Sequence, residues 1–328
     1  MAASDQIKSL IKSFGEDNEI RFFSTALQIA ATEAKQGHTT FAQELKKLID
    51  VAKKDRSVNA IHSKALPLNL PKRELQELIE VFQPKINLSD MVLDENIKNT
   101  LYKVIKEQEK WQILKAHNLE PKRKLLLTGA PGTGKTMTAQ AIAGELGITV
   151  FIIRLDGLMS KYLGESIAKL RLIFDAMNDQ RAVYLFDEFD SIGSHRNQNQ
   201  DIGEIKRVLN SFLINIEKDQ SNSIIIAATN LPESLDKALF RRFDEIIEYP
   251  LPDENHIIEI IKKQTKAFSF STKIDYKALS KLALGLNYSE IVRICNDTIK
   301  EMILNDLDKL ELATLKKLLK LRNVVNEK

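Results

Sequence analysis

"KLLLTGAPGTGKT", Lys124 to Thr136, decides how the rest of the chain is read. An apolar run of strand length, Lys124 to Leu127, enters the glycine-rich turn Gly129 to Thr136, and a helical segment follows. The turn satisfies G-x-x-x-x-G-K-[ST], and strand before and helix after are the contexts that motif requires. Glycines let successive backbone N–H groups turn towards phosphate oxygens, and the helix N-terminus adds positive potential. Lys135 would reach the β- and γ-phosphates, and the Thr136 hydroxyl would bind Mg²⁺. Pro131, Gly132, Thr133, Gly134, Lys135, Thr136 and Met137 are the expected nucleotide contacts on this loop.

Working outwards, further strand-length apolar segments lie at Thr149 to Ile153, Ala182 to Phe186, Ser223 to Ala228 and Glu245 to Glu248, alternating with helical stretches. That alternation predicts an α/β fold: a parallel sheet with helices on both faces. Beyond "YPLPD", Tyr249 to Asp253, only helical patterns follow, to Lys328. Towards the N-terminus, Asp5 to Phe14, Asp17 to Lys35 and a segment capped by Thr40 carry apolar residues at helical spacing. Asp55 to Pro71 reads as a linker, and Lys72 to Phe82 as another helix. The expected organisation is a small helical bundle at 1–55, a linker and helix at 56–84, an α/β core at 85–251 and a helical lid at 252–328.

Composition narrows the function classes. The chain has 328 residues, 43% hydrophobic and 28% charged, enough to bury sizeable cores. Its 48 basic and 45 acidic residues leave a net charge of +3, which argues against a dedicated nucleic-acid or membrane-surface binder. The single cysteine, Cys295, excludes an intramolecular disulfide and fits a reducing compartment. The opening "MAASDQIKSL" is no signal peptide, and no stretch is apolar enough for a membrane span. The expectation is a soluble, cytoplasmic protein. The five histidines show no metal-ligand spacing, and Cys295 falls on an apolar helix stripe, as a core residue does.

The second chemical element is "AVYLFDEFDSIG", Ala182 to Gly193. A buried strand ending in Asp187 and Glu188 delivers two carboxylates to the C-terminal sheet edge, where α/β sheets bind ligands. Asp187 would hold the Mg²⁺ shell, and Glu188 would polarise the attacking water.

With these motifs in order, the stretch from about Ser89 to Ile299 resembles the AAA clade of the AAA+ ATPases. That group includes the ESCRT-disassembling ATPases, katanin, spastin and the FtsH ATPase domain. The resemblance implies ATP and Mg²⁺ as cofactors and assigns several residues. "SDMVL", Ser89 to Leu93, is similar to the adenine-contacting segment, with Asp90 and Met91 at the contact positions. "IIIAATN" ends in Asn230, the polar residue that positions the lytic water in the family. "DKALFRRFD" matches the family's D-x-A-L-x-R-R-F, so Arg241 and Arg242 stand where relatives supply a finger to the neighbouring subunit's γ-phosphate. Physically, two adjacent guanidiniums are costly to bury without partners. Supplied across an interface, one can neutralise charge on a phosphoryl group in transfer. A trans finger implies a ring, so the expected assembly is a homo-hexamer or a nucleotide-dependent oligomer.

Two further segments follow from the resemblance. "SKYLGES", Ser160 to Ser166, is similar to the central-pore loop, with Lys161, Tyr162 and Leu163 as the side chains that would grip a polypeptide substrate. The lid signature G-[FY]-S-G-x-D-[IL] stands here as "GLNYSEI", Gly285 to Ile291. Tyr288 replaces a Gly beside the adenine and Asn287 replaces a Ser; a tyrosine there either stacks on the base or turns away into the lid. The leading expectation is an ATP-hydrolysing, ring-forming protein remodeller or unfoldase that threads polypeptide, with adaptors or a separate protease docking at 1–55. The alternatives are an ATP-dependent regulatory switch controlling a partner enzyme, and a nucleic-acid-linked loader. The loader would carry a basic stripe in place of "KYLG".

Overall fold

The computed structural model describes residues 78–158, 163–192 and 201–326, with a few helical positions among the first fifty: Thr25, Ala26, Ile29, Ala30, Thr32, Gln43 and Lys47. The remainder of the three N-terminal segments read as helices, and the linker after them, lie outside the described residues. The chain divides into two units, 1–68 and 69–328. Every strand among the described residues belongs to the second.

Six strands form one sheet: β1 (Ile79–Phe82), β2 (Lys124–Gly129), β3 (Val150–Ile153), β4 (Val183–Phe186), β5 (Ile224–Thr229) and β6 (Glu245–Tyr249), in the order β1-β3-β4-β5-β2-β6. Strands β2 to β6 run parallel, with Leu126 opposite Ala227 of β5 and Ile246 of β6. Alternate residues serve opposite faces, as the two-residue strand period dictates. On one face Leu126, Phe151, Tyr184, Phe186, Ile225 and Ala227 pack under helices α3 (Leu163–Asp179) and α4 (Asp201–Lys218), through residues such as Phe174 and Phe212. On the other, Leu125, Leu127, Val183, Leu185, Ile224 and Ile226 pack under α1 (Glu95–Glu109) and α2 (Lys135–Leu146). Because both faces are covered, these strands read as nearly continuous apolar runs.

The sheet holds one correction to the sequence reading. Lys72 to Phe82 was expected to be helical, but Ile79–Phe82 is a strand antiparallel to β3, pairing Ile79 with Ile153 and Phe82 with Val150. Its apolar residues at helical spacing misled, because the open edge of β3 offers N–H and C=O groups that a neighbouring extended segment satisfies. The Arg154 amide donates to the Leu78 carbonyl at 2.8 Å, and the Arg154 guanidinium pairs with Glu80 at 3.4 Å. Ile79 and Val81 are β-branched and suit the strand.

After β6, four helices build their own core: α5 (Glu254–Gln264), α6 (Tyr276–Ala283), α7 (Tyr288–Leu304) and α8 (Leu312–Asn326). Ile257, Ile261, Leu279, Ile291, Cys295, Leu315 and Leu319 are fully buried there. Each of α5, α6 and α7 starts from a capping side chain, Asp253, Asp275 and Asn287, that accepts an N–H of the first turn. Val92, just before α1, packs against this core, and Lys263 donates to the Ser89 carbonyl at 2.7 Å. These contacts bring the four-helix part against the segment that precedes the α/β core.

Candidate functional site

The C-terminal ends of β2, β4 and β5 meet at one cleft, of about 680 Å³. Pro131, Gly132, Gly134, Lys135, Thr136 and Met137 line one wall, Asp187, Glu188 and Asn230 the floor, and Tyr288, Ser289, Val292 and Arg293 of α7 the opposite wall. This is where a parallel sheet leaves strand ends and helix N-termini unpaired and facing a ligand.

The glycine-rich loop connects β2 to α2. Gly134 caps α2 in the left-handed region, φ 102°, and Gly132 has φ 73°, both conformations that a side chain resists. Thr133 is buried, its hydroxyl donating to the Ala130 carbonyl at 2.8 Å, which tightens the loop on itself. Lys135 is buried at the start of α2. Its ammonium donates to the carbonyls of Gly129 (2.8 Å) and Ala130 (2.9 Å) and to Asn230 Oδ1 (2.8 Å). Burial lowers the Lys135 pKa, while the carboxylates of Asp187 and Asp190 act in the opposite direction. A desolvated cation on an open cleft is a strong electrostatic centre for an anion.

Thr136 and Asp187 converge from different elements: the threonine hydroxyl donates to Asp187 Oδ2 at 2.7 Å. Asp187 Oδ1 accepts the Glu188 amide at 2.9 Å, and Glu188 itself sits in the left-handed region at φ 49°. This uncommon backbone state for a non-glycine residue turns the exposed Glu188 side chain into the cleft. The next residue, Phe189, is fully buried against Phe212, with ring centroids 4.8 Å apart, and anchors the turn.

Asp190 was not singled out from the sequence, yet it ties two strands together. Its Oδ1 accepts from the Thr229 hydroxyl at 3.0 Å and from the Asn230 amide at 3.1 Å, so it fixes where Asn230 emerges from β5. The spacing D-E-x-D was the available signal. Tyr249 and Thr138 form a second supporting pair at 2.7 Å, with Thr138 also donating to the Gly134 carbonyl at 3.0 Å.

Other sequence-predicted residues are placed differently. Asp90 and Met91 do not line the cleft. Asp90 accepts the Asn87 amide at 2.9 Å and so stabilises its own 3-10 turn. Met91 lies behind the loop, its Sδ 4.0 Å from the Thr138 hydroxyl, and a Cβ on Gly134 would come within 3.3 Å of its Cε. Arg241 and Arg242 also lie outside the cleft of their own chain. Arg242 pairs with Glu217 at 3.1 Å and keeps a buried Nε without a hydrogen-bond partner among the described residues. Arg241 is exposed, with no ion-pair partner among the described residues. Lys161 and Tyr162 lie outside the described residues, and Leu163 opens α3. Cys295 is buried and its thiol is pushed up to about 12 by desolvation, the state of a packing residue.

The four-helix part touches the loop directly. The Ser289 amide donates to the Gly132 carbonyl at 3.1 Å. A Cβ on Gly132 would lie 2.6 Å from Asn287 Oδ1, so that glycine is required by the close approach as well as by its φ. A separate, smaller cavity of about 300 Å³ lies beside the amino-terminal ends of β2, β4 and β5, lined by Trp111, Arg123 and Arg181. It takes no part in this arrangement.

A glycine-cradled helix N-terminus, a buried ammonium, a hydroxyl–carboxylate pair and a free carboxylate in one cleft make up the equipment for binding and hydrolysing a nucleoside triphosphate. Comparison with known proteins agrees. Residues 125–251 match the ATPase family associated with various cellular activities (AAA). An uncharacterized AAA family ATPase, y4kL, of Sinorhizobium fredii is 34% identical over 305 residues, 93% of this chain and 90% of that protein. The proteasome-activating nucleotidase of Methanothermobacter thermautotrophicus is 31% identical over 228 residues, 67% of this chain but 56% of that protein. Protein SAV of Sulfolobus acidocaldarius is 33% identical over 226 residues, 67% of this chain and 29% of that protein. The chain belongs to the AAA family of ATPases, and its activity is the hydrolysis of ATP. Among the described residues no helix is long and apolar enough to cross a membrane.

Proposed function

We propose that this chain uses ATP hydrolysis to remodel polypeptides as a ring, with a homo-hexamer as the working assembly. The observation that carries the reading is the cleft itself, in which Lys135, Thr136, Asp187, Glu188 and Asn230 meet from three separate strand ends. Lys135 holds the outer phosphates, Glu188 draws the proton from the attacking water, and Asn230, fixed by Asp190, orients that water. Thr136 and Asp187 are hard oxygen donors 2.7 Å apart and fit Mg²⁺, which bound there would neutralise charge on the phosphate oxygens.

Arg241 supplies the finger to the neighbouring subunit. Its exposure supports that role, whereas Arg242 is engaged by Glu217 of its own chain and is the positioning member of the pair. Lys161, Tyr162 and Leu163 grip the polypeptide in the central channel. The relative named a proteasome-activating nucleotidase favours a remodeller that serves a separate protease, with that enzyme or an adaptor docking at residues 1–55.

Subunit mixing tests the ring and the trans finger together. Arg241→Ala and Lys135→Ala should each be nearly inactive alone. Mixed, they should recover part of the wild-type turnover, because some interfaces then pair an intact site with an intact finger. Full turnover by dilute protein shown to be monomeric would refute both the finger and the ring.

A further inference from the structure

The cleft's wall on α7 contains one side chain for which hydrolysis has no use. Tyr288 is the first residue of α7 and, among the described residues, the only aromatic one lining the cleft. The phosphate-handling groups are gathered at one side, on the glycine-rich loop and at Asp187, Glu188 and Asn230. A nucleotide also carries a flat, largely apolar base, which needs a flat apolar surface. Among the described residues the apolar lining consists of Pro131, Met137, Val292 and the Tyr288 ring, and of these the ring alone offers a π-face.

The ring is held on its other side by the lid helices. Tyr288 packs against the four-helix core and is half-buried. Behind it stands His256 of α5, with ring centroids 6.4 Å apart and planes tilted by 51°, within the range of aromatic contact. His256 is oriented in turn by Asp253, whose Oδ1 lies 2.8 Å from His256 Nδ1. At the helix start, Asn287 and Glu290 form a reciprocal cap, and Arg322 of α8 braces Glu290 at 2.9 Å. The tyrosine is therefore backed by His256 of α5 and fixed at a braced helix N-terminus, next to the Ser289–Gly132 hydrogen bond. Burial pushes its hydroxyl up to about 12, assisted by Asp253, Asp94 and Glu259, so the ring stays neutral.

We propose that Tyr288, backed by His256, is the platform on which the nucleobase stacks, and that this stacking sets nucleotide affinity in this chain. The proposal rests on the reading of this cleft as the nucleotide site. Stacking on a ring uses the π-face that every base has, and it contributes to the bound state without touching the phosphates.

The test compares ADP with inorganic pyrophosphate, which presents phosphates without a base, on the full chain by calorimetry. Tyr288→Phe keeps the ring and should bind ADP within about twofold of wild type. Tyr288→Leu keeps apolar bulk but loses the π-face, and its ADP dissociation constant should rise roughly tenfold. Pyrophosphate, measured directly or as a competitor of ADP, should be affected equally little by both variants. A second readout is the fluorescence of 2-aminopurine riboside diphosphate, which stacking quenches: wild type and Tyr288→Phe should quench it and Tyr288→Leu should not. If Tyr288→Leu binds ADP as wild type does, or loses pyrophosphate as strongly as ADP, Tyr288 is a lid-packing residue and the platform is refuted. Wild-type protein that binds no ADP would instead refute the nucleotide reading of the cleft, so the two failures are distinct.

Discussion

Glu188 sits at φ 49° on a residue that carries a Cβ, and this allows backbone strain and chemistry to be separated by substitution. The left-handed region costs a non-glycine residue about 1–2 kcal/mol. Replacement by glycine removes that cost but widens the unfolded ensemble, which offsets about 0.5–1 kcal/mol. The side chain is exposed and its removal leaves no cavity. The net expectation for Glu188→Gly is a gain of about 0.5–1 kcal/mol, read as a rise of roughly 2 °C in the unfolding midpoint. Glu188→Gln retains the Cβ and the strain, so its midpoint should match wild type. Both variants lose the carboxylate at the water, and turnover should fall by roughly 10²–10⁴-fold in each. Paired thermal melts and phosphate-release assays on the three proteins supply the measurement. If Glu188→Gly melts below Glu188→Gln, the strain argument fails. If either variant hydrolyses ATP at the wild-type rate, Glu188 is not the base.

Other outcomes follow from single contacts. Gly132→Ala places a Cβ 2.6 Å from Asn287 Oδ1 at a positive φ, so ADP affinity should drop, and adding Asn287→Gly should restore part of it by relieving the clash but not the backbone. Asp219, whose side chain is fully buried, pairs with the Arg123 guanidinium. Asp219→Ala leaves that buried charge without its partner and should cost about 3–5 kcal/mol in urea unfolding. Cys295 has a thiol raised from 9.0 to about 12 in the folded state. Its stabilising contribution is full below about pH 9 and is lost as pH rises towards 12, because only the unfolded thiol ionises in that window. Cys295→Ala should therefore show a shallower loss of stability across pH 9–12 than wild type, whatever its stability at pH 7.

The parallel strands were legible because burial on both faces forces continuous apolar runs, as in "KLLLT" and "IIIAAT". Their ends shifted by one or two residues, since Gly129 and Thr229 still hydrogen-bond as strand. Strand β1 was not legible: Leu78, Ile79 and Phe82 fit helical spacing, and only the open edge of β3, a tertiary fact, selects the extended form. The chemistry of the cleft was spelled out by short motifs, whereas its support was not. Asp190 acts through Thr229 and Asn230, which are about forty residues away in sequence; the D-E-x-D spacing marks the residue but not those partners. Asp90, read by position as an adenine contact, also accepts the N–H of Asn87 three residues before it, a local bond that the spacing permits but does not announce. Arg241 and Arg242 read alike in the sequence; only the placement of Glu217 on α4 tells them apart.

The most direct test of polypeptide threading is the unfolding rate of a cognate substrate, captured with the ATP-locked Glu188→Gln protein, in wild type and Tyr162→Ala. The account predicts that Tyr162→Ala retains basal ATP turnover but loses unfolding and substrate-stimulated turnover, while Tyr162→Phe keeps much of both. Unfolding of that substrate by Tyr162→Ala at the wild-type rate would contradict the threading mechanism.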